Sequence, residues 1–238
     1  MSLIRADKAS FAYEGRTVLK DISFHVEMGD FLLIVGENGA GKSTLLKGLL
    51  GLKKPSMGKI SFGDGLRARE IGYLPQQTVV QKDFPASVLE VVLSGRLNHL
   101  GGLPFYRKKD KEIAGRYIHK MGICHLRDAC YRDLSGGQQQ KVLLARALCA
   151  AKKMILLDEP ITGLDPVASK DLYETIDHLN KRDQMTVIMV SHDVRGAYPF
   201  ASHVLHIGKE GYFFGTREAY VKSRMGELFL AEGGVSYD

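Results

Sequence analysis

The sequence predicts an α/β fold with a mostly parallel sheet, an antiparallel β region and a helical insertion. Three observations carry that prediction. Three short apolar runs, FLLIVG (Phe31–Gly36), MILLDEP (Met154–Pro160) and TVIMVSHD (Thr186–Asp193), end abruptly in polar residues. Each is too short for an ordinary helix and fits a strand buried on both faces. Helical stretches lie between them, such as the one after Asp165, which is placed to cap, and Pro166, which suits a first turn. Length agrees: 238 residues with 45% hydrophobic content can bury one large domain or two small ones.

Taken in chain order, TVLKDISFHV alternates at Ile22, Phe24 and Val26, which predicts an antiparallel strand. FLLIVG then runs into GENGAGKST (Gly36–Thr44), followed by the helical TLLKGLLG. This is the G-x-x-x-x-G-K-[ST] phosphate loop in its required strand–loop–helix context, so the body is a P-loop NTPase core. From residue 79 to 133 the chain is helical and charged, and lacks strong strand signals; Ser87 and Glu90 form a capping-box pattern there. That segment reads as a helical subdomain inserted between core segments 1–78 and 134–238. Near the end, HVLHIGKEGYFFG predicts a hairpin around Gly208–Gly211.

Composition narrows the function classes. The net charge of +6 suits nucleic acid, an anionic lipid surface, a nucleotide or mere solubility. The three cysteines (Cys124, Cys130, Cys149) lack metal-ribbon spacing and point to a reducing compartment. MSLIRADKAS has no apolar core of a secretion signal, and no apolar run approaches the roughly 18 residues of a membrane span. A soluble chain is expected, touching membranes only peripherally or through a partner.

In the phosphate loop, Gly36, Gly39 and Gly41 let backbone N–H groups curl around phosphates. Lys42 would give the β/γ-phosphates a point charge, and the Ser43 hydroxyl is placed to ligate Mg²⁺. MILLDEP ends in two acids: Asp158 suits the Mg²⁺ shell, and Glu159 is the natural general base for an attacking water. NKRD (180–183) imitates a guanine-reading motif but follows a helix rather than a strand, so it reads as a helix end. Tyr13 is a candidate ring for stacking on adenine, or an ordinary core aromatic. Ser191, His192 and Asp193 cannot form a hydrolase triad, because consecutive side chains diverge. The spacing of His203 and His206 puts them on opposite sides of a strand and argues against a shared metal.

DLSGGQQQKVLLARAL (Asp133–Leu148) looks like a second anion-receptive helix start, with Ser135 able to cap and Gly136 and Gly137 leaving the backbone bare. A helix terminus contributes only about 0.3–1 kcal/mol to an anion. It is useful when it completes a phosphate site already held elsewhere, and the simplest donor is a second copy of the chain.

The phosphate loop, LSGGQ, ILLDEP, GLDP and SHD, in this order, resemble the ATP-binding subunit of an ABC transporter over roughly residues 2–220. The resemblance implies Mg²⁺-dependent ATP hydrolysis, with Lys42, Gln76, Glu159 and His192 in catalysis. Nucleotide binding would fall to Tyr13, Gly36, Glu37, Asn38, Gly39, Ala40, Gly41, Lys42, Ser43 and Thr44. Ser43, Gln76 and Asp158 would hold Mg²⁺. Ser135, Gly136, Gly137 and Gln138 would contact ATP in trans, and Asp165 would cross the dimer interface. Ile161 stands where the family commonly has Thr, with little effect expected. The segment DFPASVLEVVLSGRLNHLG further resembles importers of divalent metals, of zinc or manganese type. Implied partners are a second copy, an integral-membrane permease at the cytoplasmic face and, indirectly, an extracytoplasmic solute-binding protein, with no nucleic acid. The rival readings are a soluble ABC-type ATPase acting on nucleic acid or ribosomes, and a regulatory module that binds without hydrolysing; Glu159 argues against the latter.

Overall fold

Alternating apolar residues give the first two strands one buried face, and a tight turn fixes how they meet. In the computed structural model, which describes residues 2–76, 85–101, 105–208 and 211–232, β1 (Ser2–Tyr13) and β2 (Arg16–Glu27) form an antiparallel hairpin. Glu14 and Gly15 make its two-residue turn, with φ of 49° and 79°, the left-handed pair that matches strand twist. β4 (Met57–Phe62) pairs antiparallel with the other edge of β1. Ile4, Phe11, Phe24 and Val26 are among the residues this sheet buries.

Two compact units divide the chain, residues 1–68 with 179–238 and residues 69–178. In the first, β3 (Phe31–Gly36) is buried at all six positions, as its unbroken apolar run requires. It pairs in parallel with β7 (Thr186–Val190) on one side and β8 (His203–Ile207) on the other. β8 continues antiparallel into β9 (Tyr212–Thr216), as the hairpin pattern predicts, and Gly208 N–H donates to Gly211 O at 2.9 Å. Lys209 and Glu210 of that hairpin lie outside the described residues. Helix α1 (Lys42–Leu49) follows β3, α6 (Val194–Ala197) follows β7, and α7 (Arg217–Val221) and α8 (Arg224–Glu232) follow β9.

In the second unit, β5 (Ile71–Leu74) pairs in parallel with β6 (Met154–Asp158). Helices α2 (Val88–Ser94) and α3 (Lys108–Lys120) pack on α4 (Gly136–Ala150), which also lies against β5. The predicted capping box at α2 is present: Ser87 Oγ accepts from Glu90 N–H, and the Glu90 carboxylate accepts from Ser87 N–H at 2.8 Å. Arg96 ties the three helices together, donating through Nε to Asp110 Oδ1 at 2.9 Å and through Nη1 to Cys149 O at 2.8 Å. Burial pushes the Asp110 carboxyl up, but hydrogen bonds from the Arg96 side chain and the Arg107 backbone, with the charges of both arginines, more than offset this and hold it below its usual range. Of the helical stretch read at 79–133, residues 79–84 and 102–104 lie outside the described residues.

α5 (Pro166–Lys181) begins as expected: Asp165 Oδ1 accepts from Val167 N–H and Ala168 N–H at 3.0 and 2.9 Å. NKRD is a helix end. The buried Asn180 amide donates to the carbonyls of Gly29 and Met185, both at 2.8 Å, which explains the asparagine without any base to read. Among the described residues no helix is long and apolar enough to cross a membrane.

Candidate functional site

The phosphate loop is shaped by what surrounds its glycines. Gly36 has φ 142°, and a Cβ there would come within 2.2 Å of Ile207 O on β8, so any side chain would collide with backbone. Gly39 and Gly41 take φ of 80° and 99°, left-handed values that cost a side-chained residue about 1–2 kcal/mol. Gly41 is the N-cap of α1, which has neither a side-chain cap nor an acidic residue in its first turn. Its leading N–H groups and positive dipole end therefore suit an external anion. Lys42 is buried, and its Nζ donates to Gly36 O and Glu37 O, both at 2.8 Å. These bonds bend the lysine back onto the start of the loop and hold its charge there. Ser43 is exposed on the first turn and Thr44 is buried.

Beneath the loop, His206 of β8 pairs in register with Val35 and is buried. Its Nδ1 shares a 2.9 Å hydrogen bond with Tyr220 OH, and Phe229 of α8 lies 4.6 Å from the ring. Burial lowers its pKa, with the Lys42 charge acting the same way and Glu37 opposing. His203, on the other face of the strand as its spacing predicts, stacks on Phe214. Cys124, Cys130 and Cys149 are free thiols, and no cluster of three metal-capable side chains occurs among the described residues.

At the end of β7, Ser191 and Asp193 are occupied locally. Ser191 Oγ accepts from Asp193 N–H at 3.0 Å, and Asp193 Oδ1 accepts from Gly196 N–H at 3.0 Å to cap α6. His192 is left exposed on this braced turn. Tyr13, the last residue of β1, is 41% exposed, which removes the core reading of its ring.

The carboxylates belong to the second unit. β6 delivers Asp158, whose Oδ2 accepts from Tyr73 OH at 3.4 Å. Burial first, and then the Asp158 charge, push the Tyr73 phenol up to about 12, so it stays a donor at neutral pH. Glu159 sits at φ 51°, a conformation rare for residues with a side chain and strained by about 1–3 kcal/mol. Its Oε2 accepts from Gln76 Nε2 at 2.8 Å and from Thr162 Oγ1 at 3.3 Å. Sequence reading singled out Gln76 and Glu159 separately; the fold brings them into one hydrogen bond. Thr162 and Tyr73 were missed, because a threonine in a turn and a tyrosine on a strand carry no motif.

The LSGGQ helix start differs from α1: Ser135 caps it, as its sequence predicts, and Gln138 answers in return. Ser135 Oγ accepts from Gln138 N–H at 3.3 Å, and Gln138 Oε1 accepts from Ser135 N–H at 3.0 Å. This reciprocal box occupies two of the leading donors with the helix's own side chains. Gly137 also has a local reason: a Cβ there would stand 2.9 Å from Ala168 Cβ of α5. Of the two helix starts, only α1 leaves its end uncapped by side chains.

Comparison with known proteins gives the family. Residues 19–162 match the family model described as ABC transporter. The chain is 38% identical to the manganese transport system ATP-binding protein MntB of Bacillus subtilis, over 90% of this chain and 87% of the relative. It is 34% identical to the zinc uptake system ATP-binding protein ZurA of Listeria monocytogenes, over 92% and 87%. A solved chain described as a metal-chelate type ABC transporter in an inward-facing conformation superposes with a TM-score of 0.87 at 30% identity, covering 98% of this chain and 90% of that one. A bacterial ABC transporter cassette solved as a dimer gives 0.70 at 27% identity over 86% and 94%. A glycine-shaped phosphate loop, a strand-end carboxylate pair and the LSGGQ helix thus occur in a chain that belongs to the ABC transporter family, as its ATP-binding and ATP-hydrolysing subunit.

Proposed function

We propose that this ATPase drives import of a divalent transition metal ion, of zinc or manganese type, from the cytoplasmic face of a membrane-embedded permease. The observation that carries the cargo is the pair of relatives named for manganese transport and zinc uptake, each aligned over about nine-tenths of both chains. Those names favour transport over a soluble ATPase acting on nucleic acid. An extracytoplasmic solute-binding protein would deliver the ion to the permease.

The chain works as a homodimer, with ATP between the phosphate loop of one copy and Ser135, Gly136, Gly137 and Gln138 of the other. The dimeric cassette among the solved relatives supports this arrangement. Residues 79–133 form the helical subdomain of this reading, and 1–78 with 134–238 the nucleotide-binding core. Tyr13 carries the adenine ring. Gly36, Glu37, Asn38, Gly39, Ala40, Gly41, Ser43 and Thr44 line the phosphates, and Lys42 turns its ammonium from the loop carbonyls to them. Ser43, Gln76 and Asp158 offer oxygen donors only, the set a hard cation prefers, and fit Mg²⁺. When bound there, Mg²⁺ offsets phosphate charge. Glu159 takes the proton of the attacking water, His192 contacts the terminal phosphate, and Asp165 reaches the partner copy.

In the observed geometry Gln76 and Thr162 both donate to the Glu159 carboxylate, so Oε2 of the proposed base is engaged by protein donors. Gln76 therefore couples the position of the base to the end of β5, and a water to be activated takes the place of that hydrogen bond.

Two measurements test the cargo and the machine. Tagged chain purified from membranes should bring down a polytopic permease, whereas recovery of ribosomes or DNA alone would overturn the transport reading. Uptake of radioactive Mn²⁺ or Zn²⁺ should depend on the chain and vanish in Glu159→Gln; uptake unchanged by that variant would refute it.

A further inference from the structure

Tyr13 is the residue on which the proposed function places the base, and its ring is not presented bare. The Lys53 ammonium lies over the ring, 3.7 Å from its centroid, well within the roughly 6 Å at which the ring quadrupole attracts a cation. Backbone holds both partners. Tyr13 is fixed by its pairing with Arg16 across the two-residue turn. Lys53 leaves the turn that ends α1, where its N–H and that of Leu52 donate to Lys47 O at 3.2 and 2.9 Å. Further along, Ser56 N–H and Oγ both donate to Ser10 O, at 2.7 and 3.0 Å, tying the segment to β1 just before Tyr13. The lysine thus stands between two anchored stretches of backbone and is half-buried. Lys42 opens α1 at the phosphate loop, so Lys53 approaches the ring from the end of the helix remote from that loop.

We propose that Lys53 is a positioning residue for the nucleotide base: its ammonium covers one face of Tyr13, so that the ring offers its opposite face to adenine. The inference rests on the reading of Tyr13 as the base platform. A phenol ring has two faces, and a cation on one draws electron density towards it. The other face then becomes a better partner for an electron-rich purine, and the ring loses rotational freedom before the nucleotide arrives. A lysine that instead occupied the base's own place would have to be displaced, and its removal would tighten binding.

Calorimetric titration of the full chain with ADP, and separately with pyrophosphate as the counterpart lacking a base, tests the assignment. Lys53→Met should weaken ADP binding by roughly threefold to tenfold, the range of a partly desolvated cation–ring contact. Lys53→Arg should restore affinity to within about twofold, since guanidinium also stacks on rings. Pyrophosphate affinity should not change, and adding Lys53→Met to Tyr13→Ala should cost nothing more. ADP affinity that is unchanged or tighter in Lys53→Met would overturn the assignment, as would an equal loss towards pyrophosphate or an equal loss in the Tyr13→Ala background. If Tyr13→Ala binds ADP normally, the base platform itself falls. If Tyr13→Ala weakens binding and Lys53→Met does not, only the role of Lys53 falls.

Discussion

Single side chains carry the chemistry, and they differ in how visible they are from sequence. Lys42 and the acids Asp158 and Glu159 are legible because each follows a buried apolar strand at a fixed offset. Lys53, Thr162 and Tyr73 are not, because their partners Tyr13, Glu159 and Asp158 are brought in by turns and strand pairing that no local pattern encodes. Glu159→Gln should lower ATP turnover by about 10²–10⁴-fold, the usual weight of a general base; a phosphate-release assay at saturating ATP measures it. His206 yields a pH dependence. Its folded pKa is depressed by burial and by Lys42, so as pH falls the unfolded chain takes up that proton before the folded one does. Its share of stability is present above the ordinary histidine value of about 6.5 and is lost as pH drops through the folded value. Urea unfolding at pH 7.5 and pH 5.5 should show a smaller acid loss in His206→Asn than in the parent.

Whole elements were read more faithfully than the contacts between them. Buried strands and capped helices announce themselves through apolar runs and cap residues, and β3, β6, β7, α2 and α5 lie where those signals place them. The start of α4 adds a detail: the Ser135 cap that the sequence predicts is closed into a reciprocal box by Gln138. The glutamine three residues on carries two readings, as a capping partner and as part of the signature, and the sequence alone does not separate them. Two chemically identical changes separate capping from function. Ser87→Ala and Ser135→Ala each remove a side-chain cap and should each cost about 1 kcal/mol in denaturant unfolding. Only Ser135→Ala should also depress ATPase activity at matched stability. A further test is Asp110→Ala, which leaves the largely buried Arg96 unpaired and should destabilise by about 3 kcal/mol, read from the urea midpoint.

For the molecule as a whole, the proposed dimer makes affinity for nucleotide and affinity for a second copy one linked quantity. Light scattering should show Glu159→Gln with Mg²⁺ and ATP shifting from one chain to two as concentration rises, and returning to one with ADP; a strictly monomeric, fully active preparation would remove the shared site. The route of the chain adds a constraint in time. β3, which feeds the phosphate loop, takes both of its parallel neighbours from residues 186–207, about 155 to 170 positions later, whereas residues 69–178 are continuous. On a translating ribosome the continuous stretch can condense as soon as it emerges, while β3 waits with two apolar edges unpaired for most of synthesis. Premature stop codons before residue 207 should therefore yield insoluble polypeptide rather than a weakened enzyme, and slowing elongation early in the message should burden chaperones more than slowing it late.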